Sequence, residues 1–235
     1  MKILAIDTSG PACSVALAVD GKLLGEIVMN SALTHSETVM PAIDEIMRRE
    51  GLSCIDMDVF ASVAGPGSFT GVRIGVCVAK ALAHATGKPC ARVNALEALA
   101  VGAWGVKDVI CPILDARRGQ VYCAAFEYGE DALPVQILPD AALRLEDLIA
   151  ALPKDRKLYF TGDGVAVHEQ AIRGMLGERA CFAPVHARVL RASSACLIAE
   201  NRQDAFMQPE ALTPIYLRAP QAERERNERK TRERV

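Results

Sequence analysis

Three short segments carry the side chains and backbone that could work on a phosphate. Asp7-Thr8-Ser9 follows one apolar run, Gly162-Asp163-Gly164 follows another, and Gly65-Pro66-Gly67-Ser68-Phe69-Thr70-Gly71 joins an apolar run to a helical pattern. A glycine-rich loop feeding a helix presents free backbone N–H groups to an anion, and aspartates at two strand ends could hold magnesium beside it. The loop departs from the Walker pattern, because Val72-Arg73 stands where Lys-Ser or Lys-Thr is needed, and it is not Gly-x-Gly-x-x-Gly. Glycines also permit a sharp strand-to-helix turn and close helix packing. Two readings therefore stand for Asp7, Thr8, Ser9, Gly162, Asp163 and Gly164: ordinary turns, or the remnant of a nucleotide cleft.

Hydrolytic chemistry finds less support. His168-Glu169-Gln170-Ala171-Ile172 begins like the helix of zinc proteases, but isoleucine replaces the second histidine and the metal pair is missing. Gly-x-Ser-x-Gly does not occur, and His35, His84 and His186 have no second histidine at ligand spacing. His35 stands beside Glu37 at a helix start, where capping accounts for it. The eight cysteines, at 13, 54, 77, 90, 111, 123, 181 and 196, form no Cys-x-x-Cys pair. They read as reduced, small hydrophobes of a cytosolic core. No catalytic residue and no metal ligand set is assigned.

The elements that must position these loops follow from periodicity. Ile3–Thr8 reads as a buried strand, and Cys13–Val19 and Lys22–Met29 flank Asp20-Gly21, a strong hairpin signal. Thr34-His35-Ser36-Glu37 is a capping box, followed at helical spacing by Val39, Met40, Ile43, Ile46 and Met47, with Gly51 as the stop and Pro41 as a bend. Val59–Ala64 is a strand, Val72–Ala85 a helix, Cys90–Val93 a strand and Ala95–Trp104 a helix. The second half repeats the order: strands Val109–Asp115, Val121–Glu127 and Val135–Leu138, helix Leu145–Leu152, strand Leu158–Thr161, helix Val165–Leu176, strand Cys181–Phe182, helix Ala192–Asn201.

The two copies superimpose in sequence. Leu4-Ala5-Ile6-Asp7 matches Pro112-Ile113-Leu114-Asp115, and Ser14 and Tyr122 sit at corresponding strand positions after the aspartates. The expected fold is α/β, a duplicated two-lobed βββαβαβα arrangement with lobes at 1–106 and 107–218; one mixed-sheet domain is the alternative. Residues 219–235 end in charges of alternating sign with no apolar face, which reads as a solvated, disordered tail. Contact of that arm with a phosphate backbone is the alternative.

One helix stands out for docking. Gly71, Gly75, Ala79 and Ala83 recur every fourth residue, with Val72 and Val76 beside them, so another helix could approach closely. Val78, Ala81, Leu82 and Ala85 make the opposite face apolar too, and a helix apolar nearly all round is covered on both sides: one side can be this chain's own sheet, while the other wants a second helix, for which the Thr34–Arg49 helix is a candidate. The expected partner interface is Val39, Met40, Ile43, Met47, Gly71, Val72, Gly75, Val76, Ala79 and Ala83, completed as a four-helix bundle by a second molecule.

The totals exclude several classes. Half the residues are apolar and the formal net charge is −2, so no whole-surface positive field attracts RNA or anionic lipid. There is no apolar run long enough for a membrane span, and Asp7 falls inside the hydrophobic part a signal peptide would need. A cytoplasmic protein is expected.

Ile3–Ser9, His35-Ser36-Glu37, Gly65–Gly75, Asp115-Ala116-Arg117-Arg118 and Gly162-Asp163-Gly164 together resemble the bacterial tRNA threonylcarbamoyladenosine biosynthesis family TsaB, from the N-terminus to Tyr216-Leu217-Arg218. Val72 where leucine is usual and Gln120 where glutamate is common are small departures. The resemblance implies a fold like actin and sugar kinases. It also implies a non-catalytic subunit that binds the related catalytic protein TsaD and, with the ATPase TsaE, helps install threonylcarbamoyl on the adenosine beside the tRNA anticodon. A homodimer when the partner is absent, only indirect contact with tRNA, and ATP or ADP at the partner interface as the one nucleotide left open complete what it implies. TsaD-like chains carry His-x-x-x-His on the helix after the short strand; here Ala95 and Leu99 hold those places. Alternatives from the wider superfamily are an ATPase or small-molecule kinase using Asp7 and the Gly162–Gly164 loop, and an M22-type peptidase.

Overall fold

The computed structural model describes residues 1–31 and 33–218; the charged segment 219–235 lies outside the described residues. The first half runs β1 (Lys2–Asp7), β2 (Cys13–Val19), β3 (Lys22–Met29), α1 (His35–Arg49), β4 (Val59–Val63), α2 (Phe69–Thr86), β5 (Cys90–Val93) and α3 (Ala95–Val101). The second runs β6 (Val109–Asp115), β7 (Gln120–Glu127), β8 (Val135–Arg144), α4 (Leu145–Ala151), β9 (Leu158–Thr161), α5 (Gly164–Leu176), β10 (Ala180–Phe182) and α6 (Ala192–Asn201). The sheets are ordered β3-β2-β1-β4-β5 and β10-β9-β6-β7-β8, which is one topology twice. β1 pairs antiparallel with β2 and parallel with β4, and β6 does the same with β7 and β9.

Alternation along β1 explains the layering. Leu4 and Ile6 face a core shared with α1 and α2, whereas Ile3 and Ala5 face a second core shared with α3 and α6. A third core lies between the other face of the second sheet and α4 and α5. Helices α3 and α6 are exchanged: α3 follows the first sheet in sequence but packs on β6 and β7, while α6 packs on β1, β2 and β4. The middle core is dense in alanine, with Ala16, Ala61, Ala98, Ala124, Ala195 and Ala199 all buried, and such small side chains let two sheets and two helices approach closely.

Two cross-half ion pairs pin the exchanged helices. The Glu26 carboxylate on β3 accepts from Arg191 Nε at 2.8 Å, from the Ser193 backbone N–H at 3.0 Å and from the Ser193 hydroxyl at 2.9 Å, so it caps α6. Arg202, beyond the end of α6, donates to both carboxylate oxygens of Glu97 on α3.

The structure differs from the sequence reading by more than one residue at three element ends. Helix α2 begins at Phe69 rather than Val72, because Ser68 is its N-cap and accepts from the Gly71 N–H at 3.3 Å; Gly71 is therefore helical. β8 runs through Pro139 to Arg144 because it is the edge of its sheet, where a missing N–H breaks no ladder bond. Helix α3 stops at Val101. Helix α1 continues through Pro41 and is followed by Gly51 at φ +64°, a left-handed position that suits glycine.

Candidate functional site

A cleft of about 600 Å³ opens between the halves, where the C-terminal ends of β1 and β6 carry their aspartates. Ser9, the Pro66–Thr70 loop, Asp115, Arg117, Asp163 and the segment 215–218 line it. Of the six candidate residues, Ser9 and Asp163 reach the cleft. Asp7 and Thr8 lie buried behind Ser9, and Gly162 and Gly164 pack against the carbonyl of Ile113.

The loop after β1 is committed to the chain's own backbone. Thr8 Oγ1 donates to the Gly71 carbonyl at 2.7 Å, the Ser68 N–H donates to the Ser9 carbonyl at 2.7 Å, and His35 Nε2 lies 2.9 Å from the Gly10 carbonyl. A side chain on Gly67 or Gly71 would collide with the carbonyl oxygen of Ser9 or Thr8, respectively. The room these glycines leave is thus filled by the β1–β2 loop, which fastens α2 to the end of β1.

Burial governs the acids of the floor. It pushes the Asp7 carboxyl up to about 7, opposed by hydrogen bonds from Ser9 and reinforced by the negative charge of Asp163. Asp7 Oδ1 accepts the Ser9 N–H at 2.8 Å, while Oδ2 is buried without a partner. Burial, with help from Asp115, also raises Asp163, whose Oδ1 accepts the Asp115 N–H at 3.0 Å. Among the described residues, no group of three His, Cys, Asp or Glu side chains is placed to hold a metal ion. His168 Nε2 stands 4.0 Å from Asp115 Oδ1. Ala95 and Leu99 are both buried on α3, and Leu99 packs against Gly162 of the other half.

The thiols behave as packing groups. Cys13, Cys90, Cys111, Cys123 and Cys196 are buried, and burial pushes Cys90 and Cys123 up to about 11 and Cys196 up to about 12. Cys54 and Cys181 are half-buried, and Cys77 is exposed.

The expected docking residues need correction. Val39, Ile43, Met47, Gly71, Val72, Gly75, Val76, Ala79 and Ala83 are all buried within this chain, and their helices lie on its own first sheet. A Cβ on Gly75 would stand 2.6 Å from Thr8 Oγ1 and 3.7 Å from Ile6, so the small-residue stripe fits the end of β1. Met40, 46 % exposed, is the member of the set that faces outward. The outer surface of α2 instead carries Arg73, Cys77, Ala81 and Ala85, with Ile74 and Val78 half-buried.

Residues 203–218, which carry no periodic signal, form the part of the site that the sequence concealed. The segment pairs with β5 through Cys90 and Met207, buries Leu212 and brings Tyr216 to the ring of Phe69, with 5.1 Å between centroids. The guanidinium of Arg73 stacks 3.8 Å over Phe69 and donates to the Tyr216 hydroxyl at 2.9 Å.

Comparison with known proteins places this geometry. The chain is 34 % identical over 224 residues to the tRNA threonylcarbamoyladenosine biosynthesis protein TsaB of Bacillus subtilis, covering 95 % of this chain and 96 % of that one. The chain belongs to the TsaB family. TsaB of Escherichia coli is 40 % identical over 136 residues, covering 57 % of this chain and 58 % of that one. Residues 22–225 match the family model described as TsaD, tRNA N6-adenosine threonylcarbamoyltransferase, so the chain is also similar in sequence to that enzyme family. YeaZ from Pseudomonas aeruginosa superimposes with a TM-score of 0.77 at 27 % identity over 92 % of this chain and 99 % of that one. The ethanolamine utilization protein EutJ from Carboxydothermus hydrogenoformans, at 11 % identity and a TM-score of 0.53, shares the fold alone. The fold is a duplicated α/β type with one five-stranded topology repeated, and membership of the TsaB family places the chain in tRNA threonylcarbamoyladenosine biosynthesis. Among the described residues no helix is long and apolar enough to cross a membrane.

Proposed function

We propose that the chain is a non-catalytic subunit that docks a TsaD-type partner through the outer faces of α1 and α2. In this reading the partner, with a TsaE-type ATPase, transfers threonylcarbamoyl to the tRNA adenosine in the cytoplasm, and a second copy covers the same faces when the partner is absent. The observation that carries the reading is a patch of exposed apolar side chains at the start of α1, bordered by its charged residues, beside the small and apolar outer face of α2. Leu33 is 59 % exposed just before α1 and Met40 46 % on it, while α2 alongside adds Ile74, Cys77, Val78 and Ala81. Large apolar side chains left in water on neighbouring elements mark a surface that a partner covers.

Two further observations support the division of labour. Ala95 and Leu99 carry no metal-ligating atom at the places where TsaD-like chains carry histidines. In addition, Thr8 Oγ1, Asp7 Oδ1 and Asp163 Oδ1 are spent on backbone groups of this chain and the spaces beside Gly162 and Gly164 are filled by the Ile113 carbonyl, which serves this reading as packing and loop fixing, with Asp7 Oδ2 and the Ser9 hydroxyl left over.

Co-elution with the TsaD-family protein of the same genome tests the proposal. Met40→Glu combined with Ala81→Glu, both at exposed positions, should keep the wild-type melting temperature and lose the complex. A complex of undiminished affinity with this double variant sinks the docking face.

A further inference from the structure

We propose that residues 203–218 form a strap that ties the outer surface of α2 to the mouth of the interlobe cleft. The inference concerns this chain's own mechanics; only its partner-bound arm below rests on the docking reading.

The path of the segment carries the argument. It leaves α6 and pairs antiparallel with the edge strand β5, through Cys90 N–H to the Met207 carbonyl at 2.8 Å and Met207 N–H to the Cys90 carbonyl at 2.9 Å. A 3-10 turn at Pro209–Ala211 then lies on α2, where Lys80 Nζ donates to the Glu210 carbonyl at 3.3 Å and His84 faces the Glu210 carboxylate at 3.6 Å. Leu212 is fully buried in the core between α2 and the first sheet. The Ile215 N–H donates to the Ala64 carbonyl at 2.6 Å, a close approach that Gly65, at φ +108°, makes room for: a Cβ there would stand 2.7 Å from the Ile215 carbonyl.

At its end the strap crosses the cleft. Tyr216 rests on Phe69 and Arg73 in the first turns of α2, and two residues later Arg218 Nη1 donates to the Ala116 carbonyl of the second half at 2.9 Å. Ala116 opens the β6–β7 turn, whose Arg117 and Arg118 hold φ of +61° and +56°, values costly for side chains of this size. That turn is fixed by the Ala116 N–H to Gln120 carbonyl bond, the Gln120 N–H to Arg117 carbonyl bond and the Arg117 N–H to Asp115 carboxylate bond. Arg218 adds a charge-assisted bond from the opposite side of the cleft. Because Ile215, Tyr216, Leu217 and Arg218 all line the cleft, displacing the strap from α2 changes the cleft wall and releases the turn together.

Amide hydrogen exchange on the full chain tests the strap. Arg218→Ala should raise exchange at Ala116 and Gln120 about tenfold, the effect of losing one hydrogen bond from a charged donor, while amides of β1 and β4 keep their protection and show that the fold is intact. Tyr216→Ala should raise exchange at Ile215 and at Ala116 together. Unchanged exchange at Ala116 and Gln120 in both variants overturns the strap. With the TsaD-type partner bound, exchange at Ala116 should shift in the wild type and stay level in Arg218→Ala. A bound partner that shifts it equally in both proteins overturns the coupling, whereas absence of partner binding leaves the exchange result on the free chain standing and counts against the docking reading instead.

Discussion

The contact between Gly75 and Thr8 gives a prediction that can be worked from distances. An alanine Cβ at position 75 would stand 2.6 Å from Thr8 Oγ1, and the hydroxyl cannot yield freely because it donates to the Gly71 carbonyl at 2.7 Å. Relieving the overlap strains that buried bond, at about 1–1.5 kcal/mol, and at the same time shifts α2 off the end of β1, an overpacking cost of about 1–3 kcal/mol. Gly75→Ala should therefore lose about 2–4 kcal/mol, partly offset by the better helix propensity of alanine at about 1 kcal/mol. For a chain of this length the net loss lowers the melting temperature by roughly 3–10 °C. Thr8→Ala removes the obstructing atom, so in that background Gly75→Ala should cost less than about 0.5 kcal/mol or become stabilising. Denaturant unfolding of the four proteins of this double-mutant cycle supplies the coupling. A cost for Gly75→Ala that is equal in both backgrounds, or absent in the wild type, would refute the assignment of the small-residue stripe to the chain's own strand end.

Other predictions follow from the same structure. The Asp7 carboxyl is held at about 7 when folded against its ordinary 3.8, so the folded state binds the extra proton. Stability from this group is full below about pH 4 and is lost as pH rises toward 7, with a slope of at most about 1.4 kcal/mol per pH unit. Asp7→Asn, which keeps the acceptor for the Ser9 N–H, should therefore gain on the wild type in melting temperature between pH 5 and pH 7; parallel curves would contradict this. Glu26→Ala strips the cap from α6 and should cost about 2–3 kcal/mol in denaturant unfolding, with α6 amides exchanging faster than those of β1. Met40→Glu alone, on an exposed site, should change stability by less than about 0.5 kcal/mol while weakening the complex at least tenfold in a pull-down titration.

Much of the fold was legible because burial on two faces leaves a clear mark. β1, β4 and β6 are continuous apolar runs because helices cover both of their sides, and Asp20-Gly21 fixes the first hairpin with Asp20 itself at φ +49°. The glycine loop was legible as a sharp turn. What the spacing of Gly71, Gly75, Ala79 and Ala83 could not say was which neighbour comes close: a small-residue stripe reports a near approach, and Thr8, far away in sequence, is the group that makes it. Glu26 looked like any charge on an edge strand, yet its partners Arg191 and Ser193 lie 165 and 167 residues away. The strap escaped for a related reason. Its contacts are single anchors such as Leu212, Tyr216 and Arg218, each on a different element, and such a path leaves no period to read.

Reconstitution tests the central claim most directly: threonylcarbamoyl transfer to tRNA by the TsaD-family and TsaE-family proteins of the same genome, with and without this chain. The account predicts that product forms when the chain is present, fails when it is omitted or replaced by the Met40→Glu, Ala81→Glu variant, and never forms from the chain alone. Full product in its absence, or turnover by the chain by itself, would contradict it.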